Sequence, residues 1–296
     1  MTPHTLHYAV ISAVKNEEQY IGETIQSMIM QTAKPLSYTI VDDASTDGTA
    51  RIVKQAMATH PWIHYLLIPG SAKRKTGSAE ILAFNHGYET IRNEPFDCIV
   101  KLDGDLRFNG DYFERLLAYF AADTTLGIAS GIYWEEANNG WQPVTMPDYH
   151  AAGASKIVRR ECFDKIKGFI AERGWDTVDE IRAQAHGFIT RHFSDVWFYH
   201  LRKEGTGMGQ VHTNVMHGEI FYRCGGMFWF FLLKALARLI TGRPFIVAPV
   251  AMIYGYCAAL VRRKKMLVSS LEAYTYQRML SKRVVARLRK LLFIRQ

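Results

Sequence analysis

The sequence predicts an α/β fold, a mostly parallel central sheet with flanking helices, followed by a helical C-terminal region that is apolar and basic. Three observations carry this. Short apolar runs alternate with stripes of helical period in the first half of the chain. Polar, mostly acidic clusters directly follow those runs. Long apolar segments edged with arginine and lysine dominate after Gly226. A sheet of this kind binds ligands beyond the carboxyl ends of its strands, where the loops meet.

Taken in order, Tyr8–Val14 is the first strand, and Ile21, Ile25, Met28 and Ile29 then recur at helical spacing. Tyr38–Val41 is the second. The polar turn from Asp42 to Thr49 follows it and can cap a helix whose Ile52, Ala56 and Met57 face inward, with Asp47 the better cap. Ile63–Ile68 is the third strand, and a helix is expected near Ser78–Tyr88. Ile99–Leu102 is the fourth, and Phe113, Leu116, Leu117 and Phe120 then form the inward stripe of an amphipathic helix. Phe193–Tyr199 is a later strand-like run that ends at His200. The clusters Lys15–Glu18, Asp42–Asp47 and Asp103–Asp105 all follow strands, so they gather on one rim.

The chain has 296 residues, 48% of them apolar and 22% charged, which suits a folded core. Its four cysteines lack C-x-x-C spacing and read as buried thiols in a reducing compartment. Met1–His7 is polar and shows no leader pattern, so the catalytic part is expected in the cytoplasm. No G-x-G-x-x-G turn follows the first strand and no P-loop is present, which weighs against dinucleotide and P-loop nucleotide binding.

Asp103-Gly104-Asp105 ends the fourth apolar run. Gly104 lets the backbone turn so that both carboxylates approach one hard divalent ion, Mn²⁺ or Mg²⁺, together with substrate phosphates. Asp42 and Asp43 are placed to accept hydrogen bonds from a base or ribose. Lys73, Arg74 and Lys75 follow the third strand and can neutralise a diphosphate or contact the base. Asp176 shares a helix face with Asp179 or Glu180 and is the first candidate for a catalytic carboxylate, with Asp179 second. Trp175 beside it suits the wall of a sugar or acceptor pocket, with Glu180 and Arg202 in the same neighbourhood. His200 can join the metal or bind phosphate. Gly205–Gly209 has the composition of a loop that orders over a bound donor.

Four blocks in order then resemble a family 2 glycosyltransferase with the GT-A fold, over roughly residues 7 to 200. They are Val10–Glu18, Val41–Thr49, Asn85-His86-Gly87 and Asp103-Gly104-Asp105. The resemblance implies a UDP-, GDP- or dTDP-linked sugar donor and a divalent metal at its diphosphate. It places the first block, with Val14 and Glu17, and Asp42-Asp43 around the nucleoside, and Asp103 and Asp105 at the metal and ribose. Asp176 inherits the role of base by position, although the glutamate that usually precedes that aspartate is replaced by Trp175. His200 resembles the late histidine near the metal. Residues 1–215 are then the catalytic domain, with a nucleotide-binding half to 105 and an acceptor half from 106, and residues 216–296 are the helical region.

Lys234 and Arg238 share one face of an otherwise apolar helix, and Phe245–Val261 is seventeen uncharged residues, broken by Pro249 and Gly255, before Arg262–Lys265. That is at the short edge for a spanning helix of about 20 residues. In-plane or re-entrant contact with a membrane surface through residues 226–265 is expected, helped by the basic amphipathic tail at 282–295. The partners expected are therefore a nucleotide-sugar, a lipid-linked or glycan acceptor and the cytoplasmic face of the cell membrane, with no nucleic acid. A metal-dependent nucleotidyltransferase is the rival enzyme, and Lys15–Glu18 stands where its glycine-rich basic loop belongs. The rival without chemistry is a membrane scaffold that binds no nucleotide.

Overall fold

The computed structural model describes residues 6–70, 79–137, 139–202, 209–241 and 246–293, with the backbone alone at 237–241 and 286–293. The chain divides into two compact units, Met1–Lys203 and Glu204–Gln296.

In the first unit the strands are β1 (Tyr8–Val14), β2 (Ser37–Asp43), β3 (Ile63–Ile68), β4 (Cys98–Leu102), β5 (Leu106–Phe108), β6 (Leu126–Ala137), β7 (Gly140–Pro143), β8 (Ser155–Arg159) and β9 (Ile189–His200). They form one sheet in the order β3-β2-β1-β4-β8-β6-β9-β5, with β7 paired to β6. The first four sheet positions are parallel, as the alternating pattern predicts. Beyond them the sheet is mixed: β8 is antiparallel to β4 and β6, β9 is parallel to β6, and β5 is antiparallel to β9. The expectation of a mostly parallel sheet therefore holds only for the half that alternates with helices.

The helices are α1 (Ile21–Ile29), α2 (Thr49–Met57), α3 (Ala79–Ile91), α4 (Tyr112–Ala122), α5 (Arg160–Lys165) and α6 (Trp175–Ala185). Alternation along each strand supplies two cores. Tyr8, Val10 and Val14 of β1 and Val100 and Leu102 of β4 pack with Ile21, Ile25 and Met28 of α1 and Phe113 and Phe120 of α4. Ala9, Ile11 and Ile99, from the other face, pack with Phe84 of α3, Phe163 of α5 and Trp175 of α6.

One connection sets the shape of the site. Only Asp103, Gly104 and Asp105 separate β4 from β5, yet four strand spacings separate them in the sheet. Flat, that gap is about 19 Å, while the four chain steps from Leu102 to Leu106 reach about 14 Å at most. The sheet therefore curls, and the tripeptide closes the curl. Leu106 pairs with His200 across β5 and β9, which carries that histidine to the same point.

The second unit is helical: α7 (Gln210–Arg223), α8 (Phe228–Thr241), α9 (Val247–Val261) and α10 (Ser270–Phe293). The boundary expected at 215/216 falls inside α7, which packs along α9. Gly218 and Gly255 make that packing close, because a Cβ on either would overlap the backbone carbonyl of Met252 or Val215. Pro249 and Gly255, expected to break this segment, do not. Pro249 lies in the first turn of α9, where its missing N–H costs no helical bond, and Gly255 is a packing position. Among the described residues no helix is long and apolar enough to cross a membrane.

Candidate active site

The rim begins where β1 and β2 end, with Val14 paired to Asp42. Two non-glycine residues just beyond, Asn16 (φ 55°) and Ala44 (φ 52°), take the left-handed conformation, a strain that side-chain bonds between the loops offset. The Asn16 N–H donates to Ser45 Oγ at 2.9 Å, and Asn16 Oδ1 accepts from the Thr46 N–H at 2.8 Å. The Glu17 N–H donates to Thr49 Oγ1 at 2.8 Å.

Asp42 is spent on this scaffold. One oxygen accepts from the Ser45 N–H and the other from the Tyr65 hydroxyl, each at 2.7 Å. Burial and that bond push the Tyr65 pKa up to about 12. Asp43, at the end of β2, faces Lys15 across 3.5 Å.

At the tripeptide, a Cβ on Gly104 would lie 2.9 Å from Val14 Cγ1 and 3.4 Å from Glu17 Cγ. Glycine is therefore what lets the turn seat against the β1 loop. Val14, expected at the nucleoside, is buried and forms the packing surface beneath Gly104. The Asp103 N–H donates to the Ala154 carbonyl at 2.8 Å, and the Asp105 carbonyl accepts from the Leu201 N–H at 2.9 Å.

Asp103, Asp105 and His200 each offer one ligand atom, and these atoms lie within 4.8 Å of one another. His200 Nε2 is 3.4 Å from Asp105 Oδ1. Arg202 Nε is 3.7 Å from Asp105 Oδ2, and its guanidinium also pairs with Glu17 and lies over the Tyr20 ring. Arg202, expected at a sugar or acceptor pocket, thus stands beside the acid cluster, because the curl returns the end of β9 to the tripeptide. Lys101 bonds Asp103 and Glu80. Burial raises the Glu17 pKa to about 7 against Arg202, and Asp105 and Asp103 add to the rise. Two carboxylates and an imidazole, one carboxylate still partly exposed, are a donor set that fits Mn²⁺ and also serves Mg²⁺ through its oxygens.

The α6 acids behave differently. Asp179 accepts from Lys156 Nζ at 2.8 Å and from the Glu180 N–H at 2.7 Å. Glu180 accepts from the Ala151 N–H at 2.7 Å and pairs with His150 at 3.0 Å. Both are buried and brace α6 against β8 and the 150–151 segment. Asp176 is half-buried, with its backbone carbonyl accepting from Lys156 Nζ at 3.1 Å. Trp175 is buried as well, with Lys101 and Lys156 over its ring and Phe169 at 5.0 Å. Its indole packs into the core against Phe169 and beneath the two lysines, because α6 begins at Trp175 itself and turns the ring onto the sheet.

Sequence reasoning missed Lys101, Lys156, Glu80 and His150. The available signal was a lone lysine beside apolar strand residues, inside Cys98–Leu102 and ahead of Ile157-Val158. Arg74, Lys75 and the loop at 205–208 lie outside the described residues.

The fold resembles that of a mannosyltransferase from Pyrobaculum calidifontis, solved with GDP-Man and Mn²⁺. Sequence identity is 20%, the match covers 98% of this chain and 88% of that one, and the TM-score is 0.59. It also resembles S. aureus TarS 1-349, solved with UDP-GlcNAc, at 18% identity over 79% of this chain and 67% of that one, with a TM-score of 0.55. EpsE of Bacillus subtilis (strain 168) is 34% identical over 97 residues, a match to 33% of this chain that spans about a third, 32%, of that protein's length. The model of the family described as "Glycosyl transferase family 2" matches residues 9–175, more than half of the chain and every block of the rim up to Trp175. With that match, the chain belongs to glycosyl transferase family 2.

Proposed function

We propose that this protein transfers a sugar from a nucleotide-sugar donor to an acceptor hydroxyl, with inversion, at the cytoplasmic face of the cell membrane. The observation that carries the transfer is the convergence of Asp103, Asp105 and His200 at one point on the rim, beside Glu17, Arg202 and the β1–β2 loops. Asp43, paired with Lys15 at the strand end, is the member of the acidic pair that would meet a base or ribose, as both Asp42 oxygens already accept hydrogen bonds within the scaffold. Arg202 faces the same point and offers its guanidinium to a diphosphate. Mn²⁺ or Mg²⁺, held by Asp103, Asp105 and His200, supplies charge neutralisation for the departing nucleoside diphosphate when bound.

Asp176 is the base. As the acceptor oxygen forms its bond to the anomeric carbon and the bond to the diphosphate oxygen breaks, the hydroxyl proton passes to the Asp176 carboxylate. A lipid-linked or polysaccharide acceptor fits the second unit, where Phe228, Trp229, Leu233 and Leu236 of α8 and Val250, Tyr254 and Val261 of α9 are exposed. Such a surface suits in-plane association with lipid.

The test is hydrolysis and transfer with a panel of nucleotide-sugars and Mn²⁺, starting from GDP-mannose and UDP-GlcNAc, with Asp103→Ala alongside. Cleavage by the wild type that Asp103→Ala abolishes is expected. Binding of no donor in the panel would sink the reading, and release of pyrophosphate from a nucleoside triphosphate supplied with a sugar 1-phosphate would favour a nucleotidyltransferase. For the membrane, flotation with anionic vesicles is expected to carry the full chain, and protein that stays at the bottom of the gradient overturns that part.

A further inference from the structure

Lys101 and Lys156 are register partners in the antiparallel pairing of β4 with β8, so both side chains leave the same face of the sheet. Both are buried, at 2% and 0% exposed. Like charges directly opposed and out of water oppose folding, and well-packed apolar residues would fill the same space at lower cost. Each ammonium group has its own acids. Lys101 meets Glu80 and Asp103, while Lys156 meets Asp179 at 2.8 Å and Glu180 at 3.6 Å. Both also lie over one indole, with Lys101 Nζ 5.2 Å and Lys156 Nζ 5.1 Å from the Trp175 ring centroid.

What this arrangement supplies is direction. Lys101 holds Asp103 Oδ1, which stops the carboxylate rotating at the point where the acid triad converges. Lys156 donates to the Asp176 carbonyl at 3.1 Å and to Asp179, which pins the first turn of α6. Trp175 is the chain neighbour of Asp176 and the shared contact of both lysines.

We propose that Lys101 and Lys156, joined through the Trp175 ring, are positioning residues that lock Asp103 and the α6 turn carrying Asp176 into one rigid unit. The Lys156 arm rests on the transferase reading for the role of Asp176. The Lys101 arm rests on the acid triad alone.

Removing one lysine strands buried carboxylates and endangers the fold, so the test removes charges in pairs from the full-length protein. Lys101→Met with Glu80→Gln is expected to keep its Tm and to weaken Mn²⁺ binding roughly 10- to 100-fold, read by the EPR signal of free Mn²⁺ without any donor. Lys156→Met with Asp179→Asn is expected to bind Mn²⁺ within about twofold of wild type, with donor KM little changed and kcat for donor hydrolysis down roughly 10- to 100-fold. Trp175→Phe, which keeps a ring face, should retain more of both readouts than Trp175→Leu. A folded double variant with wild-type values on its own readout overturns the proposal, as does a wild type that binds no Mn²⁺. If the wild type binds Mn²⁺ but hydrolyses no nucleotide-sugar, the transferase reading and the Lys156 arm fail, and the titration still decides the Lys101 arm.

Discussion

The acidic cluster at the end of β4 and the one opening α6 are built from the same parts, carboxylates gathered round a buried lysine. They end with opposite accessibility. The Asp103 and Asp105 side chains keep 28% and 11% of their surface exposed, and they share their one lysine and one arginine with Glu80 and Glu17, so four carboxylates meet two cations. Asp179 and Glu180 keep 1% each, and every strong donor near them, Lys156, His150 and two backbone N–H groups, is already bonded to them. Carboxylates whose donors are complete brace a fold, whereas those with donors missing can take a cation or a proton. Asp176 stands at the border: it is in the closed cluster's helix, but only its backbone is bonded to Lys156.

The contrast can be broken by neutralising acids on each side. Asp105→Ala has the largest expected effect, a loss of turnover on the order of 10³-fold or more, because charge stabilisation at a metal is worth several kcal/mol, with Tm nearly unchanged. Steady-state kinetics on the best donor, beside a thermal melt, checks both halves. Asp179→Asn should do the reverse and cost about 3 kcal/mol of stability by leaving Lys156 short of its partner, measured by urea unfolding. Equal stability of that variant and wild type would mean the closed cluster is not a brace.

Asp176→Asn sharpens the border. It should lower kcat by about 10²-fold and leave donor KM and the urea midpoint where they are. The smallest effect belongs to His150. Burial lowers its pKa, the Glu180 carboxylate more than offsets that, and the net shift is upward from 6.5. A base whose folded pKa is raised adds stability that is fully present below the unfolded value and is lost as pH climbs through the folded one. Wild type should therefore lose stability as pH rises above 6.5, while His150→Gln should be about 1 kcal/mol less stable on the acid side and flat across that window. Paired unfolding curves at several pH values decide it.

Local pattern was enough for β1 to β4 and for α1 to α4, because each carries its own period and its own stop. It did not reveal β5 to β8. β5 is only Leu106–Phe108, and β7 is Gly140–Pro143, segments too short to show alternation. The rim was legible for a related reason: parallel strands send every following loop to the same end, so acids after strands converge whatever the details. Roles within α6 were not legible, since Asp176, Asp179 and Glu180 differ only in which way the first turn faces. The neighbours of Arg202 were not legible either, because nothing local announces that the end of β9 returns beside Asp105.

Sequence alone determined the alternating half, the rim acids and the family resemblance, because strand period, helix period and a glycine between two aspartates are properties of neighbours in the chain. Only the tertiary structure decided which acids are open. The curl that three residues impose between β4 and β5 brings His200 and Arg202 to Asp105, and the β4–β8 register sets Lys101 against Lys156 beneath Trp175. Those are pairings across more than fifty residues, and partners at that range, not composition, set whether a buried carboxylate is satisfied.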